Sequence, residues 1–208
     1  MKTVTLVTQK GGSGKSTLAI NLAVTATTKK RRVLLMDLDP QQTSAKWYQR
    51  RTAEGPAVAA VAATQLSEAL SRARAAGIDI VFLDTAGRDD PSSATAIKHS
   101  DYCLVACRPT PPDMEALEPT LKVLKRQSKP FAFVIVQAPP SGFRITEAET
   151  ALGPHGLVAP VPIVHRVAYQ DALGNGQGIK EFGKDGNATR EMMALWFWLN
   201  GELRKLDG

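Results

Sequence analysis

Short apolar runs and amphipathic stretches alternate along this chain from one end to the other. Thr3–Thr8 (TVTLVT), Arg32–Asp37 (RVLLMD) and Ile78–Asp84 (IDIVFLD) are apolar runs of strand length, as are YCLVAC (102–107), FAFVIVQ (131–137) and LVAPVPIV (157–164). Each is predicted to be a strand, and AVAAVAA (Ala57–Ala63) a weaker or edge strand. Helical spacing falls between them, at Lys15–Lys29, TSAKWYQRR (43–51) and QLSEALSRARAAG (65–77), the last closed by Gly77. Further helices are expected at about Asp113–Gln127, Ile145–Leu152 and Ala188–Leu206, with Asn187 as the cap of the last.

Continuously apolar strands separated by helices describe an α/β fold, a mainly parallel central sheet covered by helices on both faces. Ligands in such sheets bind beyond the carboxyl ends of the strands. A glycine-rich loop, Asp37 and Asp84 all fall at such ends. No internal repeat, low-complexity tract or linker divides the chain, so one domain over 1–208 is expected.

Composition narrows this picture only a little. The 208 residues, 43% hydrophobic and 22% charged, suit a globular domain with a substantial core. No apolar run approaches a membrane span, and MKTVTLVTQKGG lacks the apolar core and cleavage site of a secretory signal. A cytoplasmic location is expected. Cys103 and Cys107 lie in one strand, on the same face and too far apart for an easy disulfide, and read as small buried hydrophobes. Twenty-six Lys and Arg against 20 Asp and Glu give a net charge of +6, compatible with a nucleic acid or acidic partner without demanding one.

The chemistry concentrates in QKGGSGKST (Gln9–Thr17). Gly11, Gly12 and Gly14 allow the backbone to wrap so that its N–H groups, with Ser13 among them, face an anion at a helix start. Lys15 is placed for the β- and γ-phosphates of a nucleotide and the Ser16 hydroxyl for Mg²⁺. The loop departs from G-x-x-x-x-G-K-[ST] at its first position, where Gln9 stands. Asp84, closing IVFLD, has the position of the acid that holds Mg²⁺ through water in P-loop NTPases. Lys10, five residues before Lys15, is not needed by an ordinary phosphate loop.

KGGSGKS with its second lysine, VLLMDLDPQ (Val33–Gln41) and VFLDTAG (Val81–Gly87) together resemble the three signatures of the ParA/MinD family of deviant Walker A ATPases. The resemblance is strongest up to Pro109. It implies a P-loop three-layer sandwich that binds ATP and Mg²⁺, closes as a homodimer on ATP binding and hydrolyses ATP slowly. Lys10 would cross the dimer interface to the partner's phosphates. Lys15, Ser16 and Thr17 would serve their own nucleotide, Asp37 would support the Mg²⁺ shell beside Ser16 and Asp84, and Asp39 would orient the attacking water. A second cation at the γ-phosphate is consistent with phosphoryl transfer, which rests on positioning and charge stabilisation. By the same resemblance, adenine contacts are expected near Gln137, Ala138 and Pro162, and Arg88 with Arg108–Asp113 would line the dimer face.

Among the branches of that family, the iron–sulfur type is disfavoured because DTAGRDDPSSA carries no cysteine. TQKGG resembles ParA more than MinD, and a short chain starting at the first strand resembles the small ParA proteins that lack an N-terminal helix-turn-helix domain. The implied role is plasmid or chromosome partition, nucleoid-associated through nonspecific DNA binding and stimulated by a centromere- or cargo-binding, ParB-like adaptor. Candidate DNA contacts are Arg166, Lys180, Lys184 and Arg190, with KKRR (Lys29–Arg32) and Lys122, Lys125, Arg126 and Lys129 equally readable as solvated surface. Positioning of a protein cargo on the nucleoid, MinD-like membrane association and a metabolic P-loop enzyme remain as alternatives. A membrane is not expected: the last helix, with Met192, Met193, Leu195, Trp196, Leu199, Leu203 and Leu206, carries too few basic residues for a surface anchor and reads as packed on the sheet.

Overall fold

The computed structural model describes residues 1–8, 10–87 and 91–207. Its strands are β1 (Lys2–Val7), β2 (Val33–Asp37), β3 (Ala57–Ala60), β4 (Ile80–Asp84), β5 (Tyr102–Cys107), β6 (Phe131–Ala138), β7 (Leu157–Val158) and β8 (Ile163–Val164). They form one sheet in the order β3-β2-β4-β1-β5-β6-β7, with β8 also on β6, and every pairing is parallel. Parallel neighbours require crossovers, which the helices supply. These are α1 (Lys15–Ala26), α2 (Thr43–Gln49), α3 (Leu66–Ala75), α4 (Pro91–Lys98), α5 (Pro111–Glu115), α6 (Glu118–Arg126), α7 (Arg144–Leu152), α8 (Val167–Gly174), α9 (Ile179–Phe182) and α10 (Gly186–Lys205).

The continuous apolar runs have a direct cause. Along β4, Ile80 and Phe82 enter the core shared with α1 and α10, while Val81 and Leu83 enter the core beneath α3. Along β5, Leu104 and Ala106 face the first layer, and Cys103, Val105 and Cys107 face the packing of α6 and α7. Successive side chains point to opposite faces, and both faces are covered, so every position must be apolar. The two cysteines are buried as expected, and burial pushes both thiols up to about 12.

Several expected boundaries are corrected. LVAPVPIV is two short strands, β7 and β8, because Pro160 and Pro162 have no N–H to give a ladder. The helix expected over Asp113–Gln127 is broken into α5 and α6, with Pro119 in the first turn of the second. A proline there cannot donate to the preceding turn and restarts the helix. The last helix is capped by Asp185, not Asn187: Asp185 Oδ1 accepts from the N–H groups of Asn187 and Ala188, both at 3.0 Å. The first helix stops at Ala26, and α4, α8 and α9 were not anticipated because their small and polar residues mask any helical stripe. The last helix does pack on the sheet through Met192, Leu195, Trp196, Leu199 and Leu203, but Met193, Phe197 and Leu206 are exposed.

Candidate nucleotide site

Three adjacent strands bring the sequence motifs together. In the sheet register Leu6 of β1 pairs with Asp84 of β4, and Asp84 pairs with Asp37 of β2, so both acids stand beside the start of the glycine loop. The loop then turns through Gly12 (φ 75°) and Gly14 (φ 86°), a left-handed conformation open to glycine, and α1 begins at Lys15. A Cβ on Gly87 would lie 3.1 Å from both Gly11 Cα and Lys15 Nζ, so the DTAG turn sits directly against the loop because it has no side chain there.

The result is a cleft of about 730 Å³ lined by the loop from Gly11 to Thr17 and by Asp39, Pro40, Gln41, Thr43, Ala86, Gly87 and Gln137. Its electrostatics are those of a site with buried charge awaiting a partner. Burial lowers the Lys15 pKa, against the pull of Asp84 and Asp39. Burial raises Asp84 to about 7, with the repulsion of Asp37 adding to it and the Ser44 and Ser16 hydroxyls and Lys15 opposing. Asp84 Oδ2 accepts from Ser44 Oγ at 2.7 Å, while the buried Oδ1 has no partner. Asp37 is likewise raised by burial, moderated by the N–H groups of Ala45 and Asp39. An orphaned carboxylate oxygen beside a second acid and a serine hydroxyl suits a hard divalent cation such as Mg²⁺. Asp39 turns the chain through the Gln41 N–H (2.8 Å) and reaches the cleft, near enough to act on Lys15.

Lys10 behaves differently from Lys15. Its side chain is 38% exposed and its Nζ lies 3.2 Å from Asp113 Oδ2 of the same chain. Asp113 is buried (4% side-chain exposure) and also accepts from Arg108 Nε (2.9 Å) and Thr110 Oγ1 (2.5 Å). Burial alone would raise its pKa; those three donors outweigh it and hold the carboxyl below its ordinary value. Asp113 was expected only as the end of the Arg108–Asp113 segment on the dimer face and the start of a helix. Its role as the acid that holds Lys10 has no local sequence signal, since the two lie 103 residues apart. Arg88 and Gln9 lie outside the described residues.

A second cleft of about 270 Å³ adjoins the first, walled by Leu18, Val136, Ile163, Tyr169 and Met192, with Gln137, His165, Arg166 and Gln170 at its polar side. Gln137 stands between the two clefts, donating to Gly12 O at 2.8 Å. Ala138 is buried and its carbonyl accepts from His165 N (2.8 Å), and Pro162 is half-buried beside β8; neither lines a cleft. His165, Arg166, Tyr169 and Gln170 were not foreseen as cleft residues, since they lie just before or within α8, a helix that was not anticipated.

The candidate DNA cations do not form one free patch. Arg166 pairs with Glu191 (2.5 Å) and Asp185 (3.7 Å), Arg190 donates to Asn187, and Lys184 lies over the Phe182 ring at 5.0 Å. Lys180 is exposed on α9.

Comparison with known proteins agrees with this site. The CobQ/CobB/MinD/ParA nucleotide binding domain matches residues 4–175, and the chain belongs to that family. It is 34% identical over 122 residues to the maintenance of carboxysome distribution protein A of Gloeobacter kilaueensis, a match spanning 58% of this chain and 55% of that relative. The protein of the same name from Halothiobacillus neapolitanus is 24% identical over 91% of both chains. A ParA family protein of Chlamydia muridarum is 27% identical, over 83% of this chain and 64% of its own. Among solved structures, the MinC:MinD complex of Aquifex aeolicus superposes with a TM-score of 0.80 at 14% identity, covering 97% of this chain and 96% of that one. An ATP complex of a Cyanothece McdA variant gives 0.73 at 16%, covering 96% of each. At such low identities these superpositions show a shared fold alone, the parallel sheet described above. No described helix is long and apolar enough to cross a membrane.

Proposed function

We propose that this chain is a Mg²⁺-dependent ATP hydrolase that closes as a dimer around two nucleotides and uses that switch to position a cargo on nucleoid DNA. The reading rests chiefly on Lys10. A cation at the mouth of the loop that does not line its own cleft, and is half-exposed on an acid outside it, is available to a second copy.

Lys15 and the loop N–H groups hold the β- and γ-phosphates. Ser16, Asp37 and Asp84 hold the cation, Asp84 through its unpartnered Oδ1. Mg²⁺ held there would supply positive charge to neutralise the phosphates. Asp39 orients the attacking water. Lys10 leaves Asp113 and reaches the phosphates of the partner subunit. The 270 Å³ cleft beside Gln137 takes the base.

For the cargo, the names of the Gloeobacter and Halothiobacillus relatives favour a carboxysome-like body, and a short match to the chromosome-partitioning ATPase Soj of Thermus thermophilus favours chromosome partition. Either route calls for an adaptor that stimulates hydrolysis. The test is ATP-dependent dimerisation by light scattering, with turnover measured alongside. Lys10→Ala is expected to lose both, and Asp39→Ala to accumulate an ATP-bound dimer. A Lys10→Ala protein that dimerises and turns over normally overturns the reading. Salt-sensitive retention on arbitrary duplex DNA, with none on anionic liposomes, supports the nucleoid route; the reverse result transfers the protein to the membrane-associated class.

A further inference from the structure

Helix α2 is fastened at both ends, and to different parts of the molecule. At its N-terminal end the buried Ser44 Oγ donates to Asp84 Oδ2 (2.7 Å) and Ala45 N donates to Asp37 Oδ2 (2.9 Å). At the other end Trp47 Nε1 donates to Gln177 O (3.2 Å), and Arg51 Nη1 donates to Gly176 O (3.0 Å). The Arg51 guanidinium meets both carboxylate oxygens of Glu181, at 2.6 and 2.8 Å, with its side chain 1% exposed and stacked 5.0 Å from the Trp47 ring.

This second joint leaves no slack. Gly176 has φ 68°, and a Cβ there would fall 2.4 Å from Arg50 O, so the two backbones touch. The segment it grips is itself tied to α1: Ile179 N donates to Asn21 Oδ1 at 2.6 Å, and Gly178 packs against Val24. Segment 173–183 therefore receives α1 on one side and α2 on the other, and both helices start at the nucleotide cleft. Of the two, α2 donates to both acids, Asp37 and Asp84, while α1 reaches Asp84 through Ser16.

We propose that α2 is a strut that carries a change at Asp37 and Asp84 to segment 173–183, so that loading the cleft alters that segment's backbone. The inference rests on the nucleotide reading of the site. The carboxylate with a free Oδ1 for a cation is held through Oδ2 by Ser44, so any shift of that carboxylate is felt by the first turn of α2. A short hydrogen-bonded helix with close-packed ends passes such a shift along rather than absorbing it. Segment 173–183 carries Lys180 and leads to Lys184, so its response bears on exposed cations that line neither cleft.

Hydrogen exchange of the full chain, with and without Mg²⁺ plus the non-hydrolysable analogue AMPPNP, tests the strut. Wild type is expected to change exchange rates in peptides over the phosphate loop and over 173–183. In Arg51→Met the loop response persists and the 173–183 response falls at least threefold. Ser44→Ala, which leaves the Arg51 joint intact, gives the same loss from the other end. A 173–183 response of equal size in all three chains overturns the strut, as does a loop response with 173–183 silent in wild type. A wild-type loop that does not respond overturns the nucleotide reading together with the strut.

Discussion

The carboxyl edge of the sheet has two halves with opposite electrostatic habits. On the β1, β2 and β4 side the charges are buried and short of partners: Lys15 is lowered and Asp84 raised by burial, with Asp84 Oδ1 unpaired. On the β5, β6 and β8 side the charges are already in ion pairs, Lys10 and Arg108 on Asp113, and Arg166 on Glu191 and Asp185, although the buried Arg166 Nε has no partner of its own. The first half gains by taking up a ligand, because a ligand removes a desolvation cost that the fold leaves standing. The second half must give up bonds before it can act. That is the difference between a binding surface and a switch.

The contrast breaks most sharply at Lys15. Lys15→Ala is expected to weaken Mg·ATP binding by about 100-fold or more, the scale of losing a buried charge-assisted contact, read by calorimetry. A loss below about fivefold would mean that this half is not the phosphate site. The next effect is in pH. Asp84 holds its proton to about 7 in the metal-free fold against an ordinary 3.8, so the folded state binds the proton more tightly than the unfolded chain. Its contribution to metal-free stability therefore falls as pH rises from about 4 to about 7 and is flat above. Mg²⁺ affinity is expected to climb over that same window, with proton release at pH 6 and little at pH 8, measured by calorimetry in buffers of different ionisation heat.

Smaller effects separate the switch half. Asp113→Asn removes the anion that holds Lys10, and dimerisation is expected at about three- to tenfold lower Mg·ATP concentration, followed by light scattering. An unchanged midpoint would make the Lys10–Asp113 pair an idle surface contact. Gln137→Ala loses the bond to Gly12 O that joins the two halves, and is expected to weaken nucleotide binding only about threefold.

The same division explains what was legible in the sequence. The first half is written in contiguous words: GGSGKST fixes a loop through glycine geometry, and IVFLD and VLLMD carry their acids at strand ends where parallel pairing must gather them. The strands themselves were plain because burial on both faces leaves no polar position to confuse the period. The second half is assembled from distant pieces. Asp113 gains its meaning from Lys10, 103 residues away, and the smaller cleft depends on β8, a two-residue strand, and on the unanticipated α8. Ser44 looked like one more helical serine, and only the fold puts its hydroxyl on Asp84.

Asp113 also sets the ionic character of the proposed dimer. Lys10 has an anionic partner at rest, so closing the dimer exchanges counter-ions instead of recruiting them. Two lysine–aspartate pairs are lost as two lysine–phosphate pairs form, and the count of ion pairs stays level. Salt screens the pair that breaks as well as the pair that forms, so the two effects oppose one another. In the proposed dimer, ionic strength should then matter less to dimerisation than to the proposed DNA binding, and added salt becomes a means of separating the two.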